Sequence, residues 1–158
     1  MKRNNWKQTL LWVAAVETVG ILSGLLSGSA RGRFDAVAIQ PELTPPGWVF
    51  PVVWSVLYAL MGISAARIWR CPESSDRNRG LNLFVAQLIF NFFWSLIFFN
   101  AGAYGFAAIW LGILWLLTAA MILAFYRVDP PAAYLQIPYL LWLSFALYLN
   151  IAVWQLNR

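Results

Sequence analysis

Histidine is absent from the 158 residues, and cysteine occurs once, at Cys71. Without an imidazole there is no histidine metal site, no Ser-His triad and no histidine haem ligand. A lone cysteine cannot close an internal disulfide. No glycine-rich phosphate loop is present, and nothing calls for a metal or other cofactor. The acids are only Glu17, Asp35, Glu42, Glu73, Asp76 and Asp129. Of these, Glu17 alone lies inside an apolar run, so a hydrolase working through paired carboxylates has little support. Charged residues make up 11% of the chain, where soluble domains carry about a quarter. Period-two alternation, low-complexity tracts and internal repeats are also missing, which argues against a β-barrel and an inverted-repeat transporter.

What fills the chain is apolar. Hydrophobic residues reach 61% and the mean hydropathy is +0.66. The few charges cluster between long apolar runs, as expected where lipid is the solvent. Five runs have the roughly 20 residues needed to cross a bilayer as helix. They lie near 8–29, 47–68, 81–99, 105–126 and 134–156. Short connections predict an all-α fold, a single five-helix bundle spanning residues 1–158. The opening "MKRNNWK", its apolar run and "SGSA" also fit a signal peptide cleaved after Ala30. The length of the run and Glu17 within it favour a retained helix.

Five spans put the termini on opposite sides. Lys2, Arg3, Lys7, Arg67, Arg70, Arg77, Arg79 and Arg127 fall on the N-terminal side, against Arg31, Arg33 and Arg158 on the other. The positive-inside rule predicts a cytoplasmic N-terminus with the first long loop on the opposite side. The net charge of +5 then needs no nucleic-acid partner. It reads as a topology signal plus attraction to membrane lipid headgroups.

The polar residues within the spans are few and patterned. The stretch "PELTPPGWVFPVVW", residues 41–54, is dense in proline and tryptophan. Thr44 is expected to cap the second helix with Pro45 at its first position. Trp48 falls at the membrane interface as an anchor. Trp54 lies deeper, with Tyr58 and Met61 on its face. In the third span Gln87, Asn91 and Ser95 recur every four residues beside Trp94. Amides in hydrocarbon must be paired, so this stripe should face inward, as glue between helices or as ligand contacts. Pro138, Trp142, Phe145 and Leu149 share one face of the fifth span, with Asn150 at its polar end. Three helices thus offer an aromatic and amide lining suited to a large, flat, mostly apolar ligand. Glu17 needs neutral partners or a watery cavity, with Thr18, Ser23, Gln87 and Asn91 as candidates. Gly20, Gly24 and Gly28 form a ridge for close helix contact, within one subunit or between two.

Three segments carry a family resemblance: "PPGWVFPVVWSVLYALMG", "QLIFNFFWSLIFF" and "YRVDPPAAYLQIPYLLWLSFALYLN". With the five-span layout they resemble the TspO/MBR family of tryptophan-rich sensory proteins and mitochondrial translocator proteins. The resemblance implies a five-helix bundle, often a homodimer, whose first loop covers a pocket. It implies binding of porphyrins such as protoporphyrin IX; mitochondrial members also take cholesterol and drug-like ligands. By matching positions, Trp54, Asn91 and Trp142 fall where family members line that pocket, and the two tryptophans match a pair implicated in porphyrin breakdown. Pro46, Phe50, Tyr58, Phe145, Ala146 and Leu149 resemble its further walls. Departures lie at Phe34-Asp35, Gln40-Pro41, Leu43 and Ser95-Leu96, where relatives carry other residues. The C-terminal cholesterol pattern is also broken, since Tyr148 is too far from Arg158. Two functions remain open on this reading: a tetrapyrrole receptor or transporter, and a light- and oxygen-dependent porphyrin-degrading enzyme that uses Trp54 and Trp142 as catalytic residues.

Overall fold

The computed structural model describes residues 5–158. Lys2 and Arg3, counted above toward orientation, lie outside the described residues. Among the described residues, five helical segments are long and apolar enough to span a membrane: Asn5–Val37, Val49–Trp69, Ser75–Asn100, Tyr104–Val128 and Pro130–Leu156. We label the helices α1 (Asn5–Val37), α2 (Val49–Trp69), α3 (Ser75–Ser95), α4 (Tyr104–Val128), α5 (Pro130–Tyr134) and α6 (Ile137–Leu156). α5 and α6 together make the fifth span.

The spans differ from the sequence reading mainly at their ends. α1 runs eight residues past position 29, because nothing between Ala30 and Val37 breaks a helix once the apolar run stops. The second helix starts at Val49 and not at Pro45. Pro46 holds Pro45 out of the α region, so no helix can begin there. Thr44 is therefore not an N-cap. It closes a turn on Pro41 instead, its backbone N–H donating to the Pro41 carbonyl at 3.0 Å and its hydroxyl at 2.7 Å. α3 begins earlier than expected because Ser74 caps it, accepting the Arg77 N–H at 3.1 Å. At its other end α3 widens into a π-helical turn, Leu96–Asn100.

Outward faces are apolar, with Leu11, Leu25, Ile109, Leu116, Leu123 and Leu141 among the most exposed large side chains. In water this would be a fault; in lipid these residues face their solvent. The interior is built from Met61, Phe84, Leu111, Met121, Phe125, Tyr139 and Leu143, all fully buried. Lipid gives no hydrophobic drive for helix association, so close approach and hydrogen bonds must supply it. Gly62 brings α2 onto the backbone of α1: a Cβ there would stand 2.5 Å from Val13 Cα. Higher on α1 the small residues that pack inward are Ser23, Ser27 and Ala30. Ser23 Oγ donates to the Phe92 carbonyl at 2.9 Å and lies 2.5 Å from Ser95 Oγ. Of the glycine ridge, only Gly20 meets a neighbour, the Tyr58 ring, while Gly24 and Gly28 face open space.

Charged residues lock one end of the bundle. Arg67 pairs with Asp129 in a two-pronged contact of 2.6 and 3.1 Å, tying α2 to the start of α5. The buried Arg77 donates to the carbonyls of Ile68 and Trp69 at 3.3 and 2.9 Å, satisfying the C-terminal end of α2. At the opposite end, residues 38–48 connect α1 to α2. Asn157 fastens this loop by a reciprocal pair, accepting from Ile39 N–H at 2.9 Å and donating to the Ile39 carbonyl at 2.8 Å.

Candidate functional site

One cavity opens beneath the 38–48 loop, and a second adjoins it along α1, α2 and the third span. The outer one, about 290 Å³, is walled by Phe34 of α1, Phe50 of α2, Trp94, Phe98 and Phe99 of the third span, and Ala146 and Leu149 of α6. Its aromatic residues brace one another. Phe34 lies 5.2 Å from Phe98, 5.4 Å from Phe99 and 5.9 Å from Tyr104, ring centre to ring centre. Trp94 stacks on Phe98 at 5.2 Å. Its indole donates to Asn150 Oδ1 at 3.0 Å, and Asn150 in turn donates to the Tyr104 carbonyl at 2.8 Å. Trp94 and Phe98 share a helical face at i and i+4, and the π-helical turn, Leu96–Asn100, brings Phe99 toward the same wall. A regular helix would turn successive residues about 100° apart, whereas π turns re-aim side chains and recur at functional sites.

The second cavity, about 280 Å³, shares Arg31, Phe50, Trp94 and Phe99 with the first and continues along α1 to Glu17. Trp54, Tyr58 and Asn91 line it. Trp54 stacks on Tyr58 at 5.4 Å and meets Tyr139 edge-on at 6.2 Å. Behind these rings runs a chain of hydrogen bonds. Tyr58 donates to Asn91 Oδ1 at 2.6 Å, Asn91 donates to the Tyr139 hydroxyl at 2.9 Å, and Tyr139 donates to Gln87 Oε1 at 2.7 Å. Gln87 and Asn91 thus face inward and tie α3 to α2 and α6. The Asn91 Oδ1 has accepted one bond and its Nδ2 has donated one, and each can make another, so the residue that joins the helices also presents hydrogen-bonding capacity to the cavity it lines. Glu17 makes no hydrogen bond among the described residues. Its expected partners are occupied elsewhere: Thr18 donates to the Ala14 carbonyl, Ser23 donates to the Phe92 carbonyl, and the Asn91 and Gln87 amide oxygens accept from Tyr58 and Tyr139. The carboxyl group therefore stands at the cavity wall.

Of the residues read from the sequence, Phe50, Trp54, Tyr58 and Asn91 meet in one cavity, while Phe50, Ala146 and Leu149 meet in the other. Trp142 and Phe145 line neither. They flank a separate apolar groove of about 510 Å³ between α2 and α6, floored by Val53 and Leu57. Trp142 still touches the cavity walls from behind, edge-on to Phe50 at 5.9 Å and to Trp54 at 6.4 Å. Its indole N–H is buried without a partner. Pro46 lines none of the three; its neighbours Pro45 and Gly47 do. Sequence reasoning missed Arg31, Phe34, Phe98 and Phe99. Phe34 lies beyond the expected end of the first helix, and no local signal announces a π-helical turn.

Five membrane-spanning helices that enclose a ring of indole, phenyl and amide groups define a multi-pass integral membrane protein with a bundle-core cavity, a class fitted to a receptor-like or transporter-like role. Residues 12–155 match the model of the TspO/MBR family. The chain is 34% identical to the tryptophan-rich protein TspO of Chlorobaculum tepidum, over 88% of this chain and 89% of that protein. It is 36% identical to the translocator protein of Bos taurus, over 93% and 92%. To the tryptophan-rich sensory protein of Cereibacter sphaeroides it is also 36% identical, over 75% and 73%. The chain belongs to the TspO/MBR family.

Proposed function

We propose that this protein is a membrane receptor or transporter that binds tetrapyrroles such as protoporphyrin IX, and related flat apolar molecules, in the cavity under the 38–48 loop and the one adjoining it. The observation that carries this reading is the pair of adjacent cavities sharing the wall residues Phe50, Trp94 and Phe99, with Trp54 and Tyr58 stacked on one side and Phe34 on the other. At about 290 and 280 Å³ each stands near the lower end of the range of small-molecule sites. Aromatic faces backed by a satisfied amide network suit a flat π system, which gains from stacking and needs few polar contacts. Titrating protoporphyrin IX into the protein in lipid nanodiscs, with the porphyrin absorbance as readout, tests the reading; saturation at one porphyrin per chain is expected.

A second reading rests on the edge-to-face contact of Trp54 and Trp142 at 6.4 Å. Two indoles in contact beside a bound porphyrin could pass an electron to its excited state, so light and oxygen would degrade the ligand. Illumination with protoporphyrin IX separates the two functions. Soret loss that stops in Trp142→Phe while binding persists makes the protein an enzyme; no loss in wild type makes it a binder.

We propose further that the N-terminus is cytoplasmic and the 38–48 loop lies on the opposite side. Arg67, Arg70, Arg77, Arg79 and Arg127 mark the inner end. Association into a homodimer is part of the same proposal, and rests on the likeness to the TspO/MBR family.

A further inference from the structure

Arg31 sits on the wall that the two cavities share. Its guanidinium lies over the Phe50 ring at 4.9 Å and within 5.8 Å of the Phe99 ring. Its one hydrogen bond is a long one, 3.4 Å, to the Gly47 carbonyl. A carboxylate is available one helical turn away at Asp35, the usual spacing for an ion pair on a helix. The pair does not form. Asp35 instead accepts from Gln40 at 3.3 Å, and no acid among the described residues lies within ion-pair distance of Arg31. A guanidinium turned away from its neighbouring acid and laid over two phenyl rings is partly stripped of water, and its remaining donors are free.

Charge is distributed along the cavities with a direction. Glu17 lies fourteen residues before Arg31 on the same helix, about 21 Å deeper at helical rise. Arg31 and Asp35 both line the outer cavity, Asp35 turned to Gln40 and Arg31 left unpaired, while the inner end carries the acid Glu17, with aromatic walls between.

We infer that Arg31 is the specificity-determining residue for an anionic group of the ligand. The site takes an amphipathic flat molecule, its apolar edge directed inward and its carboxylate edge held at Arg31. This rests on the tetrapyrrole reading above and adds an orientation to it: a porphyrin whose two propionates share one edge enters with that edge last. Guanidinium matches carboxylate in shape and can bind it through two N–H groups at once. Glu17 at the far end disfavours the reverse pose by like charge.

The test compares protoporphyrin IX with its dimethyl ester on wild type, Arg31→Gln and Arg31→Lys in zwitterionic nanodiscs. Thermal melts of each variant confirm folding, and Arg31→Lys serves as the charge-preserving variant. Wild type is expected to favour the diacid by about tenfold, the ordinary size of a charge-assisted contact. Arg31→Gln should lose that preference while keeping its affinity for the ester, and Arg31→Lys should retain part of it. A diacid preference that survives Arg31→Gln, or equal weakening of both ligands, reduces Arg31 to a piece of cavity wall and overturns the inference alone. Failure of wild type to bind either form overturns the tetrapyrrole reading, and this inference with it.

Discussion

Single side chains in this protein show how the solvent decides the meaning of a residue. Glu17 alone in a span is costly if buried in hydrocarbon, at least about 2.5 kcal/mol on insertion scales. The structure gives it a cavity in place of a partner. Glu17→Gln is accordingly expected to leave the thermal melt unchanged within about 0.5 kcal/mol, as for a group outside any network. A clear loss of stability would mean that the carboxyl ties helices together. Asp129 is the opposite case, since both its oxygens are held by Arg67. Asp129→Asn should destabilise by about 1.5–3 kcal/mol, the range for hydrogen bonds to charged groups, and a melt in the same detergent reads it. An unchanged melt would make that pair an exposed, screened contact.

At the scale of elements, the sequence carried the helices and left out their irregularities. Five apolar runs of spanning length are legible because lipid demands them, and the inward placement of Gln87 and Asn91 follows from the cost of an unpaired amide. The start of α2 is not legible from a capping rule alone, since Pro45-Pro46 overrides the signal of Thr44. Nor is the π-helical turn Leu96–Asn100, since no residue type or spacing in that stretch marks one. That turn brings Phe99 to the site beside Phe98, while Trp142 lies one ring farther from it than its family position implies. Family likeness named Trp54, Tyr58 and Asn91; Arg31 belongs to no motif, and only its place between the cavities singles it out. The glycine ridge divides in the same manner. Gly20→Ala drives a Cβ within 2.2 Å of the Tyr58 ring, whereas Gly24→Ala meets nothing within 4 Å. The first should cost about 1–3 kcal/mol by overpacking and weaken ligand binding through Tyr58; the second should do neither. Equal effects in a melt would show that α1 and α2 are not packed as described. The loop is an element too. Asn157→Ala removes both of its bonds to Ile39 and should speed ligand release several-fold with little change in melting. An unaltered off-rate would show that residues 38–48 do not gate the cavities.

The whole molecule is an apolar cylinder with a polar and aromatic seam inside it, and we propose that this seam is a tetrapyrrole site. The ten tryptophans make intrinsic fluorescence a blurred reporter, so porphyrin absorbance is the better signal. The decisive measurement is a protoporphyrin IX titration of wild type, Trp54→Ala, Trp142→Ala and Trp6→Ala in nanodiscs of one composition. Trp54 forms the cavity wall, Trp142 supports it through Phe50 and Trp54, and Trp6 is an exposed residue at the start of α1. Saturable binding by wild type is expected, with the affinity lowered by about 1–3 kcal/mol in Trp54→Ala, the worth of a stacking contact. Trp142→Ala should lower it by less, and Trp6→Ala should leave it unchanged. Equal affinity in all four proteins, or no saturable binding in any, would contradict the account.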